Sequence, residues 1–164
     1  MHIYIMRHGQ AELIAPSDSE RPLSSLGRVE SKQMAAYLAN NNVSFDSVLV
    51  SPYLRAQQTL AVVKPLLVDK KADIKISSYL TPSGNINKIV NEIHALQVMG
   101  IESLLIVSHL PFVGYLVGEL VPEAGTPAFS TSSVAHIEID ENSSAVLHSL
   151  TSVAQLNRSA TTFC

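Results

Sequence analysis

Short apolar runs alternate with longer amphipathic ones along this chain, the pattern of strands interleaved with helices. Ile3-Tyr4-Ile5-Met6 reads as a strand from whose end Arg7, His8 and Gly9 emerge. A polar loop carrying Pro16 and Pro22 follows, after which Ser24 or Ser25 caps a helix with Leu26, Val29, Met34, Tyr37 and Leu38 on its apolar face. Ser47-Val48-Leu49-Val50 is a buried strand, stopped at Ser51-Pro52 because proline lacks a ladder donor and suits a helix's first turn. The next helix carries Tyr53 to about Leu67, with Pro65 ending it, and Ile74-Lys75-Ile76 is a short strand. A loop through Pro82, Ser83 and Gly84 leads to a helix presenting Ile86, Ile89, Val90, Ile93 and Leu96, terminated at Gly100. Leu104-Leu105-Ile106-Val107 is the most apolar strand, and a helix with Val113, Leu116, Val117 and Leu120 follows it.

Residues 133–150 differ. Two alternating runs broken by Asp140-Glu141-Asn142-Ser143 predict an antiparallel hairpin at a sheet edge. Beyond Ser152 no periodicity is legible, so residues 1–152 are expected to form one domain and 153–164 an unassigned tail. The whole pattern predicts an α/β protein: a three-layer α/β/α arrangement around an open, mostly parallel sheet of about six strands. In such sheets ligands sit beyond the strands' carboxyl ends.

Composition narrows the function classes. Of 164 residues, 46% are hydrophobic and 15% charged, which suits a packed core and not a disordered chain. A net charge of −3 leaves no general electrostatic footprint for nucleic acid, so any anion site must be a local cluster of cations. The single cysteine, Cys164, rules out a disulfide framework within the chain and is not placed for prenylation. No run approaches a spanning helix, and Arg7 interrupts the N-terminal apolar run early, so a cytoplasmic protein with no membrane partner is expected.

Reactive groups leave three predicted strand ends: Arg7-His8-Gly9, Ser51-Pro52-Tyr53-Leu54-Arg55-Ala56 and Ser108-His109-Leu110-Pro111. If the sheet is parallel, they converge on one rim, giving two arginines and two histidines with no obvious carboxylate. That set suits a phosphoryl group. Guanidinium forks match phosphate oxygens, and a neutral imidazole can attack phosphorus through one nitrogen while the other is held by a carbonyl. Arg7 and Arg55 disfavour protonation of His8, and Gly9 lets the backbone approach closely. A metal site at His8 and His109 is disfavoured, because ligation wants a third His, Cys or carboxylate in place of two cations. His2, His94, His136 and His148 read as surface or edge residues, and Met6, Met34 and Met99 as core filler.

Together, Arg7-His8-Gly9, Pro22-Leu23-Ser24-x-x-Gly27, Ser51-Pro52-x-x-Arg55-Ala56-x-x-Thr59 and Ser108-His109 resemble the histidine phosphatase superfamily, with its phosphoglycerate mutase-like fold. Within it, Asp18-Ser19-Glu20-Arg21-Pro22-Leu23-Ser24 and the run from Ser108 to Val117 look most like the short SixA-type protein phosphohistidine phosphatases. The resemblance implies that His8 is the phosphorylated nucleophile, that Arg7, Arg55 and His109 form the phosphate pocket, and that Arg21, Gly9 and Leu110 contribute to substrate binding. No cofactor or metal is implied. Larger members place a carboxylic acid after the third strand and insert a capping subdomain there, whereas Ser77-Ser78-Tyr79-Leu80-Thr81-Pro82 has neither. The expected substrate is therefore a phosphohistidine on another protein, a histidine phosphotransfer domain docking against a rim of Leu13, Ile14, Leu54, Leu110 and Phe112. The chain is expected to act as a monomer. A small-molecule phosphomonoesterase and a non-catalytic phosphoprotein-binding module stand as alternatives.

Overall fold

The computed structural model describes residues 1–161; Cys164 lies outside the described residues. Six strands form one sheet in the order β3-β2-β4-β1-β5-β6. They are β1 (His2–Arg7), β2 (Phe45–Val50), β3 (Val68–Ile76), β4 (Ser103–Ser108), β5 (Val134–Ile139) and β6 (Ala145–Thr151). The first four pair in parallel, while β5 and β6 run antiparallel and form the edge hairpin. The helices are α1 (Ser25–Asn40), α2 (Leu54–Leu67), α3 (Ile86–Val98), α4 (Phe112–Leu120) and α5 (Val153–Thr161).

Alternation along β1 divides the core between the two faces of the sheet. Ile3 and Ile5 pack with Ile89 and Ile93 of α3 and Val113, Leu116 and Val117 of α4. Tyr4 and Met6 pack on the other side with Met34 and Leu38 of α1 and Ala56, Leu60 and Val63 of α2. The central strands are buried on both faces, which explains their unbroken apolar runs.

Several elements differ from the sequence expectation. On α1, Leu26 and Val29 are about half exposed, and the buried face is Gly27, Ser31, Met34, Ala35 and Leu38. Small residues sit there because the chain leaving β1 passes against the helix. A Cβ on Gly27 would stand 2.1 Å from the Gln10 carbonyl oxygen, and one on Gly9 would stand 2.6 Å from the Gly27 carbonyl oxygen. Pro65 lies inside the last turn of α2, which ends at Leu67 and passes directly into β3, so that strand starts well before Ile74. Met99 follows the last turn of α3 and is 75% exposed, not core, whereas Met6 and Met34 are fully buried. Phe112 is buried at the start of α4 and belongs to the core and not to the rim. The segment after Ser152 forms α5, with Val153 and Leu156 packed into the α1–α2 side of the core.

Candidate active site

Because β2, β4 and β1 are neighbours, their carboxyl ends lie side by side. Arg7 pairs in register with Ser108, and Val50 with Val107. The ladder continues one step further, with the His8 N–H donating to the Ser108 carbonyl at 2.9 Å and the Ser51 N–H to the Val107 carbonyl at 3.0 Å. Sheet geometry alone thus delivers Arg7-His8, Ser51 and His109 to one rim, and the start of α2 adds Arg55. Arg7, His8, Arg55 and His109 line a cleft of roughly 410 Å3 together with Gln10, Ala11, Leu13, Asp18, Arg21, Pro82 and Leu110.

His8 is buried and held at both nitrogens. Its Nδ1 lies 2.6 Å from the Gly9 carbonyl oxygen, which can only accept, so Nδ1 carries the proton. Nε2 is left with its lone pair, and the Arg55 Nε–H donates to it at 3.2 Å. Across the cleft the His109 ring lies 4.9 Å from that of His8, centroid to centroid. The Ser51 hydroxyl accepts from the Tyr53 N–H and sits 2.6 Å from His109 Nε2, so its own proton is free to donate there. That tautomer puts the remaining proton on His109 Nδ1, a buried atom without a protein partner. Arg7 is anchored by Nη1 on the Phe129 carbonyl at 2.8 Å, and its buried Nε likewise has no partner. Two buried donors without protein acceptors thus belong to residues that line the same cleft as the His8 lone pair, an arrangement that calls for an anion there.

Arg55 is almost wholly buried. Beyond His8, its Nη1 reaches the Asp18 carbonyl at 2.5 Å, its Nη2 reaches Asp18 Oδ2 at 3.1 Å, and its plane lies 5.0 Å from the Tyr53 ring. Arg21 pairs with Asp18 Oδ1 at 3.2 Å and donates from Nε to the Glu12 carbonyl at 2.7 Å. The expectation of no carboxylate is therefore corrected: Asp18 lines the cleft. Desolvation is the largest single influence and works against its charge, but the hydrogen bonds and charges of Arg55 and Arg21 together outweigh it and hold the carboxyl below its ordinary value. Gly9 does not line the cleft. Its N–H donates to Thr59 Oγ1 at 3.0 Å, and that hydroxyl in turn donates to the Arg55 carbonyl at 2.7 Å. Gly9 therefore ties the loop after β1 to α2. Leu110 lines the cleft at its edge and is 36% exposed.

Asp18, Ser51 and Thr59 are site residues to which the strand-end pattern of the sequence assigns no role. A signal exists for all three, since Ser51 and Thr59 fall within the Ser51-Pro52-x-x-Arg55-Ala56-x-x-Thr59 motif and Asp18 opens the Asp18-Ser19-Glu20-Arg21-Pro22-Leu23-Ser24 stretch. The remaining histidines are remote from the cleft. His2, His136 and His148 cluster on the β1-β5-β6 face, with His2 Nδ1 and His136 Nε2 at 3.1 Å, and His94 is half-buried on α3. Among the described residues no three His, Cys, Asp or Glu side chains are grouped to hold a metal ion.

Burial pushes His8 down to about 4; the Gly9 carbonyl works the other way, and Arg55, Arg7 and Arg21 add to the depression. His109 is pushed down to about 3 by burial, with His8, Arg55 and Arg7 adding to it and Asp18 opposing. Both rings are neutral near neutral pH in the folded protein, whereas in the unfolded chain each takes up a proton near pH ~6.5. The unfolded state then binds more protons between that pH and about 4, so the stability these rings contribute is complete above the window and is lost as pH falls through it. We expect the wild type to lose on the order of 3 kcal/mol between pH ~7 and ~5 from this pair. Denaturant unfolding at the two pH values checks this, with a flatter dependence expected when both histidines are replaced by glutamine.

Comparison with known proteins gives a consistent picture. Residues 3–76 match the histidine phosphatase superfamily (branch 1). The chain is 44% identical over 142 residues to the phosphohistidine phosphatase SixA of Escherichia coli K12, covering 87% of this chain and 88% of the relative. It is 36% identical over 155 residues to a SixA homolog of Haemophilus influenzae, covering 90% and 93%. A solved structure of the protein histidine phosphatase SixA complexed with tungstate superposes with a TM-score of 0.91 at 42% identity, covering 95% of this chain and 99% of that one.

Proposed function

The chain belongs to the histidine phosphatase superfamily, with SixA-type phosphohistidine phosphatases as its relatives, and from that premise we propose that it hydrolyses protein phosphohistidine through a phosphohistidine intermediate at His8. One observation carries the reading. His8 Nδ1 is committed to the Gly9 carbonyl, so Nε2 offers a lone pair in a cleft where Arg7 Nε and His109 Nδ1 lack acceptors. Tungstate, which the related SixA binds, is a tetrahedral oxyanion of the kind such a cleft would hold.

In the first step Nε2 attacks phosphorus in line, the substrate's P–N bond breaks, and its electron pair returns to the departing imidazole nitrogen. When that ring's second nitrogen already carries a proton, it leaves as a neutral imidazole and needs no acid from the enzyme. This fits the chain between β3 and α3, which carries no carboxylate from Ser77 to Asn85, and it fits Asp18, whose ion pairs keep it anionic. Arg7, Arg55 and His109 hold the three equatorial oxygens, where the transition state spreads its charge. In the second step water attacks phosphorus, the P–Nε2 bond breaks, its pair returns to His8, and the water's proton leaves with phosphate or to solvent. Throughout, the proton on Nδ1 keeps phosphorylated His8 cationic and hence a good leaving group. The nucleophile and all the cations are the chain's own side chains, so the reaction proceeds without metal.

An open cleft suits a phosphohistidine presented on a protein surface. Only a short turn, Ser78–Leu80, stands where a cap would be inserted, and Leu13, Ile14, Leu54 and Leu110 are exposed beside the site. We assign the partner as a histidine phosphotransfer domain in the cytoplasm and the catalytic unit as a monomer; among the described residues no helix is long and apolar enough to cross a membrane. Mixing the protein with a phosphate-labelled histidine phosphotransfer domain tests the reading. Label should be released as inorganic phosphate equally with and without chelator. A stable complex with no release, or faster turnover of sugar phosphates than of the phosphodomain, would overturn it.

A further inference from the structure

Residues 12–22 form a loop closed at its neck. Ala11 bridges to Leu23, the Glu12 N–H donates to the Pro22 carbonyl at 2.8 Å, and Arg21 Nε holds the Glu12 carbonyl. At its inner turn, Asp18–Glu20, Ser17 donates to Glu20 Oε2 at 2.7 Å, which fixes the backbone that carries Asp18. Asp18 is 56% exposed on its side chain, yet it offers three acceptors to two arginines of the cleft.

The pattern of those contacts matters more than their number. A guanidinium has an end-on edge, made by Nη1 and Nη2, and a side edge, made by Nε–H and the parallel N–H of Nη2. Asp18 takes the end-on edge of Arg55, with its carbonyl on Nη1 and its carboxylate on Nη2, while Nε points at His8 Nε2. A free arginine would present its end-on edge to an incoming phosphoryl group as readily as its side edge. With that edge occupied, only the side edge remains for oxygens on phosphorus bonding to Nε2.

We propose that Asp18 is a positioning residue: by occupying the end-on edge of Arg55 it aims the side edge at the phosphoryl group as that group passes to His8. This deepens the reaction proposed above and rests on it. Asp18 neither attacks nor moves a proton. It fixes the direction of a donor whose benefit is greatest when three oxygens lie in the equatorial plane. Its effect should therefore appear in the transition state and not in ground-state anion binding.

The experiment compares wild type, Asp18→Asn and Asp18→Ala by calorimetric titration with orthovanadate, which adopts five-coordinate geometry, and with inorganic phosphate, alongside turnover of phosphoramidate. We expect Asp18→Asn to weaken vanadate about tenfold and lower kcat about tenfold, with KM and phosphate affinity within about threefold, and Asp18→Ala to show the larger loss. Tighter binding of both anions at unchanged kcat would overturn the proposal, since Asp18 would then only compete with the substrate's charge. Equal weakening of both anions together with a lowered melting temperature would overturn it as well, in favour of a merely structural role. If the wild type itself bound neither anion, the reaction at His8 would fall first, and the role of Asp18 with it.

Discussion

Replacing His8 with alanine should reduce phosphate release from a phosphohistidine substrate to the uncatalysed background, a loss of about 10^4-fold or more, while the protein stays folded. The size follows from what Nε2 would do. Its lone pair, which accepts from Arg55 Nε–H in the free protein, belongs to the cleft that Arg7 and His109 also line, and neither of those donors can replace it in forming the P–N bond. His109 cannot take over by a small rotation, because its Nε2 is engaged with Ser51 at 2.6 Å on the far side of the ring from its unpartnered Nδ1. The ring of His8 is neutral and makes no ion pair, so its removal costs a cavity, the contact with the Gly9 carbonyl and the acceptor of Arg55 Nε–H, not a charge balance. Release measured under single-turnover conditions, with circular dichroism as the folding control, checks this. Phosphate release by the variant within about tenfold of wild type would remove His8 from the reaction.

The second large effect belongs to Arg55. Lysine at this position should lower kcat by about 10^2- to 10^3-fold, close to the loss caused by alanine. An ammonium keeps the charge but has no planar fork, so it cannot hold the Asp18 carbonyl and carboxylate and at the same time donate toward His8 Nε2. The same cation also helps to hold the His8 ring neutral, so in Arg55→Ala the His8 pKa should rise from its depressed value of about 4. Steady-state kinetics give the first result, and titration of the His8 ring resonances gives the second. Arg55→Lys retaining near wild-type kcat would mean that charge alone suffices and the fork geometry is irrelevant.

Much of this arrangement was legible in the chain because it depends on strands. Ile3–Met6, Val48–Val50 and Leu104–Val107 are too apolar to lie anywhere but the sheet centre, and parallel strands with covering helices put Arg7-His8, Ser51 and His109 at one rim. Local chemistry was readable too, as in the Ser24 cap, whose side chain accepts from the Gly27 N–H.

What escaped depends on contacts between segments with no periodicity. Asp18 lies in an irregular loop, and only its approach to Arg55, 37 residues away, gives it a place in the cleft. The inner face of α1 is not legible from apolar periodicity because close backbone approach selects Gly27, Ser31 and Ala35 there, leaving the larger Leu26 and Val29 toward solvent. The helix α5 shows only Val153 and Leu156 as apolar anchors within its first two turns, too few to register as a repeating stripe.

Rapid quenching of the reaction with phosphate-labelled substrate, followed by mapping of the labelled residue, bears most directly on the chemistry placed at His8. We predict a transient, acid-labile and base-stable phosphoryl group on Nε2 of His8 that forms and decays at rates matching turnover. Label on any other residue, or phosphate release with inverted configuration at a chiral phosphorus and no labelled enzyme, would contradict it.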